Sequence, residues 1–196
     1  MDSRGPERVA IVAGASGSIG SATVRALIDQ RINVVLAALP DPVLEALAGE
    51  ARARGVRALV IPTDITRRAD IDALVAKTLV EFRRVDVLVN TAGIGSSPSI
   101  CASRDDELEM VIAVNLLGPA RLMHAVLPIM KAQRSGSIVN IGSIAGEAGV
   151  MGIYSGSKFG LRGLTDSVRR EVRSWGIDVT LIQPGFVRSP MNHAMG

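Results

Sequence analysis

Val9-Ala10-Ile11-Val12-Ala13-Gly14-Ala15-Ser16-Gly17-Ser18-Ile19-Gly20 is the stretch that decides the fold. An apolar run bounded by turn residues reads as a buried strand, and a helical pattern follows it. Gly14 permits a tight turn, and Gly17 lets the backbone approach a pyrophosphate. Gly20 allows the helix to pack closely on the strand. The start of that helix offers free N–H groups and partial positive charge to phosphates. The segment therefore predicts a strand–turn–helix cradle for a nucleotide.

Outward from this turn, apolar runs alternate with helical patterns. Strands are predicted at Val9–Ala13, Asn33–Ala38, Val56–Ile61, Val85–Asn90, Ser137–Ile141 and Asp178–Ile182. They are near-continuously apolar, as expected for a parallel sheet covered on both faces. Helices are predicted near Ile19–Gln30, Pro42–Arg54, Ala69–Phe82, Asp105–Ala132 and Tyr154–Trp175. The last carries Leu161, Leu164, Val168, Val172 and Trp175 as a helix-spaced stripe, with Gly176 ending it. No internal repeat, linker or low-complexity tract interrupts the alternation. The expectation is one α/β domain over residues 1–196, a doubly wound parallel sheet in three α/β/α layers. In such sheets ligands bind at the carboxyl ends of the strands.

Composition agrees and excludes other classes. The 196 residues suffice for a full core, and 47% are apolar. Aromatics are only 3%, so that core must be built from Val, Ile, Leu and Ala. The net charge is +3 with the arginines scattered, so nucleic acid is not an expected partner. Cys101 is the single cysteine, and His124 and His193 are too few for a zinc site, so no metal is expected. The stretch Met1 to Glu7 is polar, without the apolar segment of a signal peptide, and no run reaches about 18 apolar residues. A cytoplasmic protein without a membrane span is expected.

Tyr154 is the only tyrosine, and Lys158 follows it by four residues, about one helical turn. The phenol and the ammonium therefore share a helix face. A phenol of ordinary pKa near 10 is a poor base at neutral pH. An ammonium about 4 Å away favours phenolate by roughly 4 kcal/mol at an effective dielectric near 20. Together with the glycine turn, the pair points to a nucleotide cofactor beside a positioned acid–base group.

At this point the chain resembles the short-chain dehydrogenase/reductase family, from about Val9 to Met191. Ala13 to Gly20 is similar to the family's Thr-Gly-x-x-x-Gly-x-Gly motif: Gly14 and Gly20 match, Ala13 replaces the Thr, and Ser18 replaces the middle Gly, with Gly17 one place earlier. Asn90-Thr91-Ala92-Gly93 resembles Asn-Asn-Ala-Gly, with Thr91 the departure. Asn115, Ser143, Tyr154 and Lys158 match the family's catalytic residues in order. The resemblance implies hydride transfer between a nicotinamide dinucleotide and an alcohol or ketone carbon. Tyr154 would be the acid or base, and Ser143 would orient the substrate oxygen. Lys158 would also bind the nicotinamide ribose, and Asn115 would bend its helix and anchor a relay water. The segment between Ser143 and Tyr154 is about two residues shorter than is usual in the family. The two hydroxyls are expected to stay together if the loop shortens at its tip.

The resemblance further implies a cofactor site at Gly14, Ser16, Gly17, Ser18, Ile19, Gly20, Asp64, Ile65, Asn90, Ala92, Gly93, Tyr154, Lys158, Pro184, Gly185, Val187 and Ser189. NAD and NADP both stay open, because Ala37-Ala38-Leu39-Pro40-Asp41 carries neither an acid nor an arginine at the usual place; Asp41 is the one candidate to reach the ribose. Relatives continue into a substrate loop, a helix and a seventh strand, whereas this sequence stops at Gly196. The expected partners are a small alcohol or ketone and a second copy of the chain. A homodimer through the helices near Asp105–Ala132 and Tyr154–Trp175 is expected, or a homotetramer. Two alternatives use the same fold: an epimerase or dehydratase with the same site, and a dinucleotide-binding regulatory or scaffold protein.

Overall fold

A computed structural model describes residues 7–187. Six parallel strands, β1 (Val9–Ala13), β2 (Asn33–Ala38), β3 (Ala58–Pro62), β4 (Val87–Asn90), β5 (Gly136–Ile141) and β6 (Ile177–Ile182), form one sheet in the order 3-2-1-4-5-6. This is a Rossmann-like α/β fold. The helices are α1 (Ser18–Asp29), α2 (Pro42–Ala53), α3 (Arg68–Phe82), α4 (Asp105–Ile112), α5 (Gly118–Gln133), α6 (Ala145–Ala148) and α7 (Gly152–Val172).

The alternation of side chains along each strand divides the core. On β1, Val9, Ile11 and Ala13 join the cluster under α3, α5 and α7, with Leu74, Leu122, Met123, Val126 and Val172. Val12 points the other way, with Val24, Ile28, Leu44 and Leu47 of α1 and α2. All five residues of β1 are buried, which is why the strand reads as a continuous apolar run. Each fully buried Leu or Ile contributes about 1.5–3 kcal/mol of transfer free energy.

Differences from the expected boundaries have local causes. Val56 is buried, but its N–H bonds to the Ala51 carbonyl at the end of α2, so the β3 ladder starts at Ala58. Both backbone groups of Val85 are taken by the Gln133 side chain, at 3.1 and 2.8 Å, and β4 begins two residues later. The expected helix over Asp105–Ala132 is interrupted by a π-helical turn at Ala113–Leu117, which carries Asn115. The four-residue α6 and short 3₁₀ turns at Ile100–Ala102 and Arg173–Trp175 were not expected.

The continuous rod Asp105–Gln133 has an apolar window of mean hydropathy 1.6, enough by length and composition to cross a membrane. Its Val111, Leu122, Met123, Val126 and Met130 are buried against the sheet and α7, which accounts for that apolarity as core packing.

The sheet order reverses direction between β1 and β4, so the ends of these two strands open a crevice. The glycine turn leaves β1 there, and Asn90 to Gly93 leaves β4 beside it.

Candidate active site

Gly14 adopts φ +86°, a conformation L side chains rarely take. A Cβ there would lie 2.5 Å from the Ala92 nitrogen. Its N–H bonds the Ala37 carbonyl at 2.7 Å, which ties the turn to β2. Gly20 is tighter still, for its Cβ would sit 2.0 Å from the Gly14 carbonyl oxygen. The glycines thus bring the start of α1 directly onto the turn. No side chain caps α1, and no acid lies in its first turn. The amide-rich positive end of α1 is therefore free to meet an anion.

Thr91 stands where the family pattern has a second Asn. Its hydroxyl donates toward the Ala13 and Gly14 carbonyls at 2.8 and 3.0 Å, fastening the β4 exit to the glycine turn. A three-atom hydroxyl side chain at this position was noted in the sequence only as a departure.

Asn115 is fully buried in the π-helical turn. Its Oδ1 accepts the Ile94 N–H at 2.9 Å, and its Nδ2 donates to the Ile94 carbonyl at 2.9 Å and to Ser157 Oγ at 3.2 Å. Ser157 in turn donates to the Tyr154 carbonyl at 2.7 Å. One amide thereby joins the strip after β4 to the helix that carries Tyr154. A Cβ on Gly93 would lie 3.4 Å from Asn115 Oδ1 and 3.5 Å from Lys158 Nζ, so glycine keeps the space between them open.

Lys158 is 5% exposed, and its Nζ donates to the Ile141 carbonyl at 3.0 Å. The same ammonium is 5.7 Å from the centre of the Tyr154 ring. Burial lowers its pKa from 10.5 to about 8. Ser143 follows β5, and its Oγ accepts the Ala145 N–H at 3.2 Å. That bond uses an oxygen lone pair and leaves the hydroxyl hydrogen free to donate elsewhere.

A cavity of about 450 Å³ lies at the crevice. Of the residues singled out in the sequence, it is lined by Gly14, Ser16, Gly17, Ser18, Ile19, Gly20, Asp64, Ile65, Ala92, Gly93, Ser143, Tyr154, Lys158, Pro184, Gly185 and Val187. Ser143 and Tyr154 thus face one cavity despite the shortened connection. Asn115 acts from behind the wall. Asn90 does not line the cavity: it is 2% exposed, and its Nδ2 donates to Asn140 in the interior at 2.7 Å. Ser189 lies outside the described residues. Thr91, noted only as a departure, lines the cavity too, as do Ala38, Leu39, Thr63, Ile94, Val114, Ile141 and Gly142, which were not predicted as site residues. The apolar Leu39, Ile94 and Val114 among them carry no chemical signature in a sequence.

Asp64 lines the cavity and also closes its own turn, accepting from Thr66 N–H and Oγ at 2.9 and 2.7 Å through Oδ1. Asp41 caps α2 by accepting the Val43 N–H at 2.8 Å and is not among the lining residues. The corner at the end of β2 is instead occupied by Leu39, 62% exposed. Among the described residues, no cluster of three or more His, Cys, Asp or Glu could hold a metal.

Comparison with known proteins fits this geometry. The short chain dehydrogenase family model matches residues 8–196. A 3-oxoacyl-[acyl-carrier-protein] reductase of Synechocystis is 36% identical over 187 residues, covering 94% of this chain and 76% of that protein. Among solved structures, an actinorhodin polyketide ketoreductase with NADPH superposes at a TM-score of 0.91 with 33% identity, covering 96% of this chain and 74% of that one. An NAD+-bound xylitol dehydrogenase superposes at 0.88 with 28% identity, covering 93% and 72%.

Proposed function

The chain belongs to the short-chain dehydrogenase/reductase family of oxidoreductases, and on that premise we propose that it interconverts a secondary alcohol and a ketone with NAD or NADP. One observation carries this reading: a single cavity is lined both by the glycine turn and by Tyr154, Lys158 and Ser143. The cradle fits a dinucleotide, since Gly14 and Gly20 leave no room for a side chain and the end of α1 is uncapped. The relatives named above carry NADPH in one structure and NAD+ in another, and the uncharged corner at Leu39 selects neither.

The nicotinamide, when bound, supplies or accepts the hydride. In reduction the Tyr154 hydroxyl gives its proton to the carbonyl oxygen, and in oxidation the deprotonated Tyr154 oxygen takes one from the alcohol. Ser143, its oxygen already engaged by Ala145, donates its hydrogen to the substrate oxygen. Lys158 carries its proton at pH 7, below its pKa of about 8. It offers N–H donors to ribose hydroxyls. Asn115 holds the Ile94 strip against α7 and so fixes the floor of the site. Gly17, Ser16, Ser18, Ile19, Asp64, Ile65, Ala92, Gly93, Pro184, Gly185 and Val187 would hold the dinucleotide. Exposed Met110, Leu117 and Phe159 on the α4–α5 rod and α7 support a homodimer packed through these helices.

The test is Tyr154→Phe, which keeps the ring and removes the hydroxyl. A 3-oxoacyl thioester and a polyketide-type cyclic ketone are the first substrates to assay, after the relatives' names. Turnover should fall at least about 100-fold, with dinucleotide binding retained. An unchanged rate sinks the reading.

A further inference from the structure

Glu147 does not line the cavity, yet it joins three pieces of chain that do. It stands on α6, which begins two residues beyond Ser143. Its Oε1 accepts Gln183 Nε2–H at 2.6 Å and Arg162 Nη1–H at 3.2 Å. Gln183 directly precedes Pro184 and Gly185, which line the cavity. Arg162 lies on α7, four residues after Lys158. One carboxylate oxygen therefore connects the Ser143 segment, the Lys158 helix and the strip that leaves β6.

The surroundings make this link a spacer rather than a surface ornament. α6 rests directly on α7: a Cβ on Gly146 would meet the Lys158 carbonyl carbon and Cβ at 3.0 Å each. The α6 side of the junction is thus rigid. The strip after β6 is tied to it by the Gly142 N–H to Ile182 carbonyl bond at 2.7 Å and the Ile144 N–H to Pro184 carbonyl bond at 3.2 Å. Both are backbone bonds close to the strand end. The Gln183–Glu147 bond adds a side-chain brace to these two backbone bonds, one residue before Pro184.

We propose that Glu147 is a positioning residue for dinucleotide binding, holding the Pro184–Gly185 wall at its working distance from Ser143 through Gln183. The proposal rests on the dinucleotide site argued above. Exposed ion pairs add little to global stability, and the Glu147 and Arg162 side chains are 51% and 45% exposed. Small displacements of a binding wall have large effects on what it positions. The brace should accordingly show in binding much more than in unfolding.

The experiment is fluorescence titration of wild type and variants with NADH and with NADPH, beside thermal unfolding without ligand. Glu147→Ala should weaken binding of the preferred dinucleotide about tenfold and move the unliganded midpoint by less than about 3 °C, under 1 kcal/mol at this size. Gln183→Leu, which removes the other end of the brace, should reproduce the loss. Glu147→Gln retains an acceptor oxygen and should bind within about twofold of wild type. Equal binding by Glu147→Ala and wild type overturns the proposal and leaves the dinucleotide site standing. So does an equal loss in Glu147→Gln, because that would be an effect of charge and not of an acceptor. A wild type that binds neither dinucleotide overturns the site and this proposal together.

Discussion

Replacing Lys158 by methionine should make the unliganded protein more stable at neutral pH, even as it removes a residue of the proposed site. The ammonium is 5% exposed, and burial lowers its pKa from 10.5 to about 8. That fall corresponds to roughly 3 kcal/mol at about 1.4 kcal/mol per pH unit. Because the folded pKa lies below the unfolded one, the unfolded chain holds more protons between about pH 8 and 10.5. Stability of the wild type must rise with pH across that window. Below pH 8 the folded state bears the full cost, and above 10.5 it bears none. Methionine has no charge to desolvate, but the bond from Nζ to the Ile141 carbonyl is lost. That loss costs about 1–2 kcal/mol and hardly depends on pH, since a neutral amine donates as well. The expected gain at pH 7 is therefore about 2 kcal/mol. The variant's advantage should shrink by about 2–3 kcal/mol between pH 7 and pH 10. Urea unfolding of both proteins without dinucleotide at the two pH values measures this. Parallel stabilities at pH 7 and 10 would refute the reasoning, because they would mean that Lys158 titrates alike in both states.

Two alanine substitutions at glycine should have opposite signs. Gly20→Ala drives a Cβ to within 2.0 Å of the Gly14 carbonyl oxygen, so the turn must shift; dinucleotide affinity should fall more than about tenfold, with a loss of about 1–3 kcal/mol in urea unfolding. Gly49→Ala, in α2 with nothing within 4 Å, should stabilise by about 0.5–1 kcal/mol in the same assay. Arg83 ends α3 at φ +62°, so Arg83→Gly should relieve about 1 kcal/mol of backbone strain and raise the thermal midpoint by about 2–4 °C. Asn140 bridges Asn90 and Thr165 at 2.7 and 2.9 Å, and Asn90 Oδ1 has no hydrogen-bond partner among the described residues; Asn140→Leu should destabilise by about 1–3 kcal/mol, read from the urea midpoint.

The centre of the sheet was legible because β1 and β2 are buried on both faces. Val9–Ala13 and Asn33–Ala38 are apolar nearly throughout, and their observed ends match the expected ones. Boundaries failed where a distant group captured the backbone, as Gln133 does at Val85 and the end of α2 does at Val56. The bend at Asn115 was expected from the family resemblance alone, because Ala113 to Leu117 otherwise continues an apolar helical pattern, with Asn115 its only polar residue. The glycine cradle was readable because each glycine answers a steric demand. Asp41, the one candidate to reach the ribose, serves as the cap of α2, and nothing in a sequence separates a ribose ligand from a helix cap.

Helix α7 shows why the acid–base pair could be found while its support could not. Its C-terminal half buries Leu161, Val168 and Val172, the apolar stripe that announces a core helix. Its N-terminal half buries Ser155, Ser157 and Lys158, polar residues that periodicity assigns to solvent. Buried polar groups need partners. Those partners come from elsewhere in the chain: Asn115 for Ser157 and the Ile141 carbonyl for Lys158. The apolar half therefore supplies the burial energy that holds the helix down. The polar half spends part of it on a desolvated ammonium beside a phenol. On this reading the cost of burying Lys158 is the cost of placing an ammonium beside the phenol, and the comparison at pH 7 and 10 measures that cost directly.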